Sequence, residues 1–285
     1  MTPLRVAYLG PAGTFSEDAL RAATTGVAME PAPVPTVHDA ILAVAAGTAD
    51  RALVPFENAI DGSVRPTLDT LAFEARGVTI AGEHDHPIRH ALIGRTEIEL
   101  EAIEAVVSHP QPAAQCARFL REQLPGAEVR PADSTADAVR DVSESDRPIA
   151  ALAAASAAAI YGCVVLRDGV EDEHGNVTRF VWIAPEGIRA EGNGEWRTTL
   201  IFSELGADHP GALVEALTEF SDREVNLVRI ESRPLRRGLG RYMFFIDLDG
   251  ADTDPVVAEA IGALRDKAEN VRILGSYPIS PDRLP

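Results

Sequence analysis

The first two-thirds of the chain alternate short apolar runs with amphipathic stretches. Apolar runs predict strands, and stretches with apolar residues three and four positions apart predict helices. In one such helix, Leu68, Leu71 and Ala72 share one side. The predicted strands are 5–9, 51–55, 105–108, 149–152 and 163–166, and the predicted helices are 38–46, 64–75, 112–124 and 156–161. Because repeated strand–helix units bury a sheet beneath helices, we expect an α/β fold with mostly parallel sheets.

The pattern changes after a polar, glycine-rich stretch at 185–196, which we interpret as a linker. Beyond it, Leu213, Leu217 and Phe220 recur at helical spacing. The predicted order is strand 197–202, helix 211–220, strands 227–233 and 242–248, a helix around 257–264 and strand 271–274. This βαββαβ order is typical of a small ferredoxin-like α+β domain.

Composition narrows the class of protein. The 285 residues carry a formal net charge of −18, and Lys267 is the only lysine. An acidic chain repels phosphate backbones, so we expect no nucleic-acid partner. An anionic substrate remains possible if arginines and helix N-termini meet its charge locally. The two cysteines, Cys116 and Cys163, predict reduced, packed thiols rather than a disulfide framework or a metal site.

One uncharged stretch, 149–166, approaches the length of a membrane span. It is mostly alanine, which contributes little insertion energy, so we interpret it as a strand, a buried helix and a second strand. We therefore expect no membrane partner. The N-terminus runs into strand 5–9 without an apolar leader, so we expect no signal peptide and a cytoplasmic protein.

Polar residues follow several predicted strands. In the loop 10–16, Thr14 and Glu17 fit a capping box at a helix N-terminus that could hold an anion, although a tight turn with a good cap explains the loop equally well. Asn58 also follows a strand, at the end of a sheet where α/β folds bind ligands, but alone it could be a turn residue.

Two further loops repeat this arrangement. His109 follows strand 105–108 and could be a general acid, since histidine titrates near neutrality; the alternative is a structural turn with a capped helix. Ser156 is a candidate N-cap for the next helix, and packing of small residues explains it almost as well.

A histidine-rich segment invites a metal hypothesis. Its residues are Glu83, His84, Asp85, His86 and His90. The spacing does not match a zinc pattern, so we favour a surface loop entering a strand and expect no metal.

Together these blocks resemble the prephenate dehydratase family. The matching stretches are YLGPAGTFS (8–16), VPFENAIDGSV (54–64), SHPQ (108–111) with Gln115 and Cys116, the alanine-rich helix ending in Tyr161 and Gly162, and NVTRF (176–180). Gly211-Ala212-Leu213 and Glu231-Ser232-Arg233-Pro234 resemble the family's ACT domain. The resemblance extends from Arg5 to about Tyr277. Two positions depart from it: Ala59 replaces a usual serine, and Pro112 a usual small residue.

The resemblance implies a two-lobed catalytic domain similar to periplasmic binding proteins, followed by an ACT domain. The implied limits are lobe one at about 1–76 and 166–184, lobe two at about 77–165, the linker at 185–196, the ACT domain at 197–277 and a tail at 278–285. It also implies that the N-terminal chorismate mutase domain of bifunctional relatives is absent.

The implied reaction is the decarboxylating dehydration of prephenate to phenylpyruvate in phenylalanine biosynthesis. Aromatisation drives it, so we expect no cofactor. Thr178 is the implied donor to the departing hydroxide, and Arg179 either pairs with a substrate carboxylate or braces its strand. The implied substrate-binding residues are Thr14, Ser16, Asn58, Gly62, Ser108, His109, Gln111, Ser156 and Phe180.

The ACT resemblance implies that phenylalanine binds and inhibits by feedback. The implied effector residues are Gly211, Ala212, Leu213, Glu231, Ser232 and Arg233, although the alternating charges of strand 227–233 could be a solvated row. Pairing of such domains suggests a homodimer or homotetramer.

Two alternatives stay open. A two-lobed fold with an ACT domain could be a non-catalytic amino-acid sensor, although an acidic chain without an apparent helix-turn-helix disfavours a DNA-binding regulator. Within the enzyme class, an arogenate dehydratase would use the aminated substrate.

Overall fold

The computed structural model describes residues 3–205 and 209–280, which form three β-sheets with flanking helices. The strands are β1 Leu4–Leu9, β2 Met29–Val34, β3 Arg51–Asn58, β4 Gly62–Ser63, β5 Val78–Pro87, β6 Ala91–Gly94, β7 Ala105–Ser108, β8 Glu128–Pro131, β9 Ile149–Ala153, β10 Val164–Asp168, β11 Val177–Pro185, β12 Trp196–Ser203, β13 Leu227–Pro234, β14 Tyr242–Asp249 and β15 Asn270–Pro278. The helices are α1 Phe15–Ala23, α2 Val37–Ala45, α3 Arg65–Asp69, α4 Pro110–Gln115, α5 Ala117–Gln123, α6 Thr135–Ser143, α7 Ala155–Ile160, α8 Ala212–Ser221 and α9 Pro255–Lys267.

The first lobe is built on a sheet with strand order β2-β1-β3-β11-β5, and β4 pairs with β3. β1 runs parallel to β2 and β3, whereas β11 runs antiparallel to β3 and β5. Thr36 is the N-cap of helix α2, and its side chain accepts a hydrogen bond from the backbone N–H of Asp39. Its buried residues Ala40, Ile41 and Val44 recur at helical spacing and pack on this sheet.

The second lobe is built on a sheet with strand order β10-β6-β9-β7-β8. β7 runs parallel to β8 and β9, and β6 runs antiparallel to β9 and β10. Ser134 is the N-cap of helix α6, which buries Ala138, Val139 and Val142 against the sheet. Both sheets are therefore mixed, and the expectation of mostly parallel sheets is wrong because the strands nearest the lobe crossings run antiparallel.

The chain crosses between the lobes twice, at 88–90 and at 169–176. The crossings are hydrogen-bonded to each other, from Ile88 N to Asn176 O at 2.8 Å and from Val170 N to His90 O at 2.9 Å. The predicted lobe limits at 76 and 166 differ from the observed sheets. β5 belongs to the first lobe and β10 to the second, because an apolar pattern identifies a strand but not the sheet that it joins.

The C-terminal domain has the predicted βαββαβ order and an antiparallel sheet, β13-β14-β12-β15. One face is covered by α8 and α9, which bury Phe220, Ile261 and Leu264. The other face packs on the first lobe, where Phe245 and Tyr277 share one apolar core with lobe residues.

Close backbone approach holds the C-terminal sheet against the first lobe. A Cβ at Gly275 in β15 would collide with the carbonyl oxygen of Ile80 in β5, so only glycine fits there. The hydroxyl of Thr79 donates to the carbonyl oxygen of Leu274 at 3.0 Å. The two domains therefore meet through backbone as well as through side chains.

Three helices differ locally from the predictions. The helix expected at 64–75 is α3 followed by a π-helical turn at Thr70–Glu74. The helix expected at 112–124 begins at Pro110 and is divided at Cys116 into α4 and α5. Thr14 is the N-cap of α1 as predicted, but the capping-box bonds are not formed. Its hydroxyl donates to Leu9 O, and Glu17 accepts from Gly13 N.

Across residues 3–205 and 209–280, no helix combines the length and apolar character needed to cross a membrane.

Candidate active site

Asn58 and Thr178 contact each other where β3 ends and β11 begins. They face one another across the ladder, and Asn58 Nδ2 donates to Thr178 Oγ1 at 2.9 Å. Both residues are buried. Asn58 Oδ1 accepts from the backbone N–H groups of Ile60 and Asp61, each at 3.0 Å. One amide therefore closes the turn after β3 and fixes the Thr178 hydroxyl.

A relay of polar side chains leads from this pair toward the second lobe. Asn58 Nδ2 also donates to Asn176 Oδ1 at 2.7 Å, and Asn176 Nδ2 donates to Gln115 Oε1 at 3.2 Å. Gln115 Oε1 lies 2.8 Å from His90 Nε2. Burial lowers the pKa of His90, although the hydrogen bond to Gln115 opposes that shift. The ring is therefore neutral near pH 7 and carries its proton on Nε2.

Asp61 joins the lobes across the cleft. Its Oδ2 accepts hydrogen bonds from Gln111 Nε2 and, at 2.8 Å, from Gln115 Nε2, both on α4 of the second lobe. The Phe15 ring of α1 meets the His90 ring edge to face, with centroids 5.3 Å apart. The Asn58–Thr178 pair thus lies at a junction of first lobe, crossing segments and second lobe.

A cavity of about 670 Å³ lies between the lobes beside this junction. Four residues predicted to bind substrate line it: Thr14, Ser16, His109 and Gln111. Thr178 and Asn58 are not in its lining, and connect to it through Asp61 and Gln111.

The cavity lining carries little positive side-chain charge. Among the described residues that line it there is no arginine or lysine, so the arginine expected beside an anionic substrate is not in this cavity. Instead, the first residues of α1 and α6, Phe15 and Thr135, open into it. Free N–H groups and the positive dipole ends of these helices are suited to a carboxylate.

Ser156 and Tyr161 form a second cross-lobe contact. Ser156 Oγ donates to Asp18 Oδ2 of α1 at 2.6 Å, and Tyr161 Oη donates to Ala12 O at 2.8 Å. Burial raises the pKa of Asp18, while the Ser156 hydrogen bond lowers it. Ser156 is not an N-cap as predicted, since α7 begins after Ala154; it instead bridges the lobes.

The remaining predicted substrate residues occupy other places. Ser108 is buried and its Oγ donates to the carbonyl oxygen of His109, which caps α4. Gly62 takes a φ of +76° in β4 opposite Asn58, a conformation that favours glycine. Phe180 packs in the core between the first sheet and α1, so the structure does not support its assignment to substrate binding.

Arg179 faces away from the cleft. Its guanidinium lies 2.5 Å from Asp247 of β14, 3.1 Å from Glu57 and 3.4 Å from Glu83. Burial opposes its charge, but Asp247 and the other carboxylates outweigh that effect and raise the pKa of Arg179. The assignment of Arg179 to a substrate carboxylate is therefore not supported. Neighbouring residues of a strand point to opposite faces, so Arg179 points away from the side that Thr178 faces. On that side its partners are protein carboxylates.

These charges belong to a mostly buried group between the first lobe and the C-terminal sheet, here called the seam cluster. It consists of Glu57, Glu83, Arg179, Arg197, Arg229 and Asp247. The guanidiniums of Arg179 and Arg229 also lie over the Phe56 ring, at 4.9 and 5.0 Å from its centroid. Burial opposes ionisation of Asp247, but Arg179 and Arg229 hold its pKa below the usual range.

The histidines of the predicted surface loop do not converge. His84 and His86 lie on β5, where the His86 ring meets the Phe180 ring edge to face at 6.3 Å, whereas His90 faces Gln115. Burial, followed by the charge of His84, lowers the pKa of His86 to about 4. In the described ranges no three His, Cys, Asp or Glu side chains group as metal ligands.

The predicted effector residues divide into two groups. Gly211, Ala212 and Leu213 line a cavity of about 680 Å³ with Tyr242 and Phe244.

Glu231 and Arg233 are on the face of β13 that packs on the first lobe, where Ser63 Oγ donates to Glu231 and Arg233 donates to both oxygens of Asp69. Ser232 is exposed between them. The six residues therefore do not form one site within a single chain, because alternation along β13 separates them.

Several functional candidates were missed. Asn176, Gln115 and Asp61 lie inside the motif blocks, but no local pattern showed that Asn176 bonds to Asn58 or that Gln115 bonds to Asp61. Asp247 lies in an apolar strand, YMFFIDLD, and an isolated acid in such a strand was the available signal for a buried ion pair.

A two-lobed α/β domain with a polar interlobe cleft, joined to a ferredoxin-like domain, is the arrangement of a ligand-binding domain followed by an ACT domain. The chain belongs to the prephenate dehydratase family, whose model matches residues 6–187, and the ACT domain model matches residues 199–266. Prephenate dehydratase of Mycobacterium tuberculosis is 41% identical over 98% of this chain and 88% of that protein. The Mycolicibacterium vanbaalenii enzyme is 42% identical over 96% of this chain and 90% of its own length.

Solved structures are similar over nearly the whole chain. Prephenate dehydratase of Arthrobacter aurescens in complex with L-Phe has a TM-score of 0.89 at 39% identity, covering 99% of this chain and 92% of that one. GqqA, described as a novel type of quorum-quenching acylase, has a TM-score of 0.85 at 32% identity, covering 97% and 98%. Because one fold can carry different chemistries, the reaction has to be argued from the site.

Proposed function

We propose that this enzyme converts prephenate to phenylpyruvate, water and carbon dioxide. The observation that supports this proposal most directly is the hydrogen bond from Asn58 Nδ2 to Thr178 Oγ1 at the junction of the two lobes. This bond holds the neutral Thr178 hydroxyl close to the cleft and leaves the proton of that hydroxyl available for donation. No acceptor for that proton lies within hydrogen-bond distance among residues 3–205 and 209–280.

Thr178 acts on the leaving hydroxyl. Because its oxygen accepts from Asn58, its own proton is free to point toward substrate, and the accepted bond polarises the O–H group. A threonine hydroxyl is a weak acid, so it stabilises the departing hydroxide as a hydrogen-bond donor while a water supplies the net proton. The C–C bond to the ring carboxylate breaks and its electron pair enters the ring, while hydroxide departs with the electron pair of the C–O bond. Aromatisation makes the step favourable.

The cleft holds the dianion through backbone rather than through arginine. The N-termini of α1 and α6 open into the interlobe cavity, and Thr14, Ser16 and Gln111 add polar side chains. These groups orient the two carboxylates. Contacts of Asp61 and Asp18 with the second lobe favour a closed cleft, which excludes water around the ring carboxylate and favours its loss as neutral CO₂.

L-Phenylalanine is the proposed effector, bound in the ACT cavity that Gly211, Ala212 and Leu213 line. The positive φ of Gly211, +100°, starts α8 beside this cavity, and the aromatic side chains of Tyr242 and Phe244 offer apolar contact. The Arthrobacter structure with bound L-Phe supports this assignment. We further propose a homodimer or homotetramer that functions in the cytoplasm.

Steady-state kinetics on prephenate and arogenate test the function. We expect kcat/KM to favour prephenate, with phenylpyruvate as product, and phenylalanine to lower the rate. A higher kcat/KM on arogenate would assign the chain to arogenate dehydration. No turnover of either substrate by folded protein that still binds phenylalanine would favour the sensor.

A further inference from the structure

A groove of about 810 Å³ runs between the first lobe and the ACT sheet, apart from the interlobe cavity. The first lobe contributes Phe73 and Arg76, and the ACT domain contributes Ile201, Met243 and Arg272. The ACT cavity adjoins it, since both are lined by Glu204, Leu235 and Glu269. No role in the reaction or in phenylalanine binding has been assigned to its basic side.

The groove is positively charged within an acidic chain. Four arginines line it, Arg76, Arg236, Arg237 and Arg272, against the two glutamates Glu204 and Glu269. The whole chain carries a net charge of −18. Such a local reversal of sign concentrates small anions at the groove.

Two of the four arginines have a carboxylate nearby, although the Asp69 carboxylate beside Arg236 also pairs with Arg233. Arg236 lies 2.9 Å from Asp69, and Arg237 lies 3.5 Å from Glu204. Arg76 and Arg272 have no carboxylate within 4.0 Å anywhere in the described parts of the chain, and each comes from a different domain. The groove therefore presents two positive charges without a close carboxylate among the described residues, one on each side of the domain boundary.

Arg272 is partly buried without a counter-ion. Its guanidinium donates to the carbonyl oxygen of Leu71. Burial, followed by the charge of Arg76, lowers the pKa of Arg272 to about 10, while the charge of Glu186 opposes this shift. Partly buried cations are normally paired, because desolvation of an unpaired charge is unfavourable. A bound anion would remove this repulsion between the two arginines.

Part of the wall next to these charges is apolar. The guanidinium of Arg236 stacks 4.4 Å above the Phe73 ring, and Ile201, Met243 and Val271 line the same groove. A ligand that fits the groove therefore combines acidic groups with an apolar body.

We propose that this interdomain groove binds a small organic dianion with an apolar body, held between Arg76 and Arg272. The acidic groups pair with the two guanidiniums, and the body lies on the apolar wall. Because the two arginines come from different domains, such a ligand stabilises the contact between the first lobe and the ACT domain.

Isothermal titration of the full-length protein near neutral pH tests the proposal with three probes. Isophthalate has two carboxylates on an aromatic ring, benzoate has the same ring with one carboxylate, and inorganic phosphate has no apolar body. We expect saturable isophthalate binding, with benzoate and phosphate each about tenfold weaker or more. Equal affinity for phosphate and isophthalate, or no saturation by isophthalate, overturns the proposal.

Two variants locate the site. Arg76→Gln and Arg272→Gln should each weaken isophthalate about tenfold or more, whereas Arg265→Gln, an exposed arginine on α9, should leave the affinity unchanged. Unchanged affinity in both groove variants assigns the probe to another site, such as the interlobe cavity, and overturns the proposal. If circular dichroism shows that Arg272→Gln does not fold, the isophthalate affinity of Arg76→Gln, a change at an exposed position, decides the test. This binding readout is independent of the proposed reaction.

Discussion

The interlobe junction and the seam cluster lie on opposite faces of the same strand, and they differ in how they use polar groups. At the junction, neutral amides and hydroxyls of Asn58, Asn176 and Thr178 form a network with an unused hydroxyl proton. In the seam cluster, ionised side chains such as Arg179 and Asp247 form ion pairs at 9% and 0% side-chain exposure. The two regions begin at adjacent residues of β11, Thr178 and Arg179.

The difference separates chemistry from assembly. A reacting group must keep a donor or acceptor available for substrate, whereas a buried charge is tolerated only when it is fully paired. The junction meets the first condition and the seam meets the second. Changes in the junction should therefore affect turnover first, and changes in the seam should affect stability first.

The largest expected stability effect is that of Asp247→Asn. The change leaves Arg179 and Arg229 partly uncompensated in a buried site, which should lower the free energy of unfolding by about 3–5 kcal/mol. Denaturant unfolding followed by circular dichroism measures it.

Asp249→Asn is the matched control, on the same strand and two residues away, where the carboxylate meets Asn226 at the surface. Its expected effect is below about 0.5 kcal/mol. Equal effects of the two substitutions would contradict the distinct role of the seam cluster.

Asn58→Asp should affect turnover more than stability. The new carboxylate still accepts from the backbone of Ile60 and Asp61, but no longer donates to Thr178 or Asn176. We expect a loss of about 1–3 kcal/mol in unfolding free energy, and a fall in kcat of about 10²-fold or more. Full kcat in a folded Asn58→Asp protein would show that positioning of Thr178 is unnecessary.

Ser156→Ala removes one cross-lobe hydrogen bond, to Asp18. The expected loss is about 0.5–1.5 kcal/mol in unfolding free energy, together with a raised KM because the closed cleft is less favoured. Ser143→Ala is the control, since that hydroxyl donates only within its own helix, to Arg140 O. An unchanged KM in Ser156→Ala would show that this contact does not contribute to substrate binding.

The smallest effect is a pH dependence from His86. Its folded pKa of about 4 lies below the unfolded value of about 6.5, so the unfolded chain binds more protons between these values. Stability is lost as pH falls from about 6.5 to about 4, and His86→Gln should make this loss shallower.

His38 provides a control of opposite sign. Its hydrogen bond to Glu74 raises the pKa of His38, so its contribution is present at low pH and is lost as pH rises through the folded pKa. Identical slopes of unfolding free energy against pH for wild type and His86→Gln would contradict the buried state of that ring.

Much of the fold follows from local patterns. Apolar spacing correctly indicated α2, the ACT helices and most strands, and the βαββαβ order gave the C-terminal fold. Lobe membership of β5 and β10 could not be predicted, since strand pairing over long sequence separations leaves no local periodicity.

The candidate site was predictable only in part. Asn58 and Thr178 were identified through motif order, and the structure brings them together. Arg179 and Phe180 were assigned through the same motif block as Thr178, although strand alternation and a bulge between them direct their side chains to the seam cluster and to the core. The partners of Arg179 come from β3, β5 and β14, whose convergence is a property of tertiary packing.

The kcat of Thr178→Val and Thr178→Ser on prephenate most directly tests whether the hydroxyl at the junction does the chemistry. Valine keeps the shape and removes the hydroxyl, whereas serine keeps the hydroxyl that Asn58 contacts. We predict that valine lowers kcat about 10²–10⁴-fold and that serine stays within about tenfold of wild type, both with wild-type circular dichroism. A folded Thr178→Val enzyme with wild-type kcat would contradict the role of Thr178.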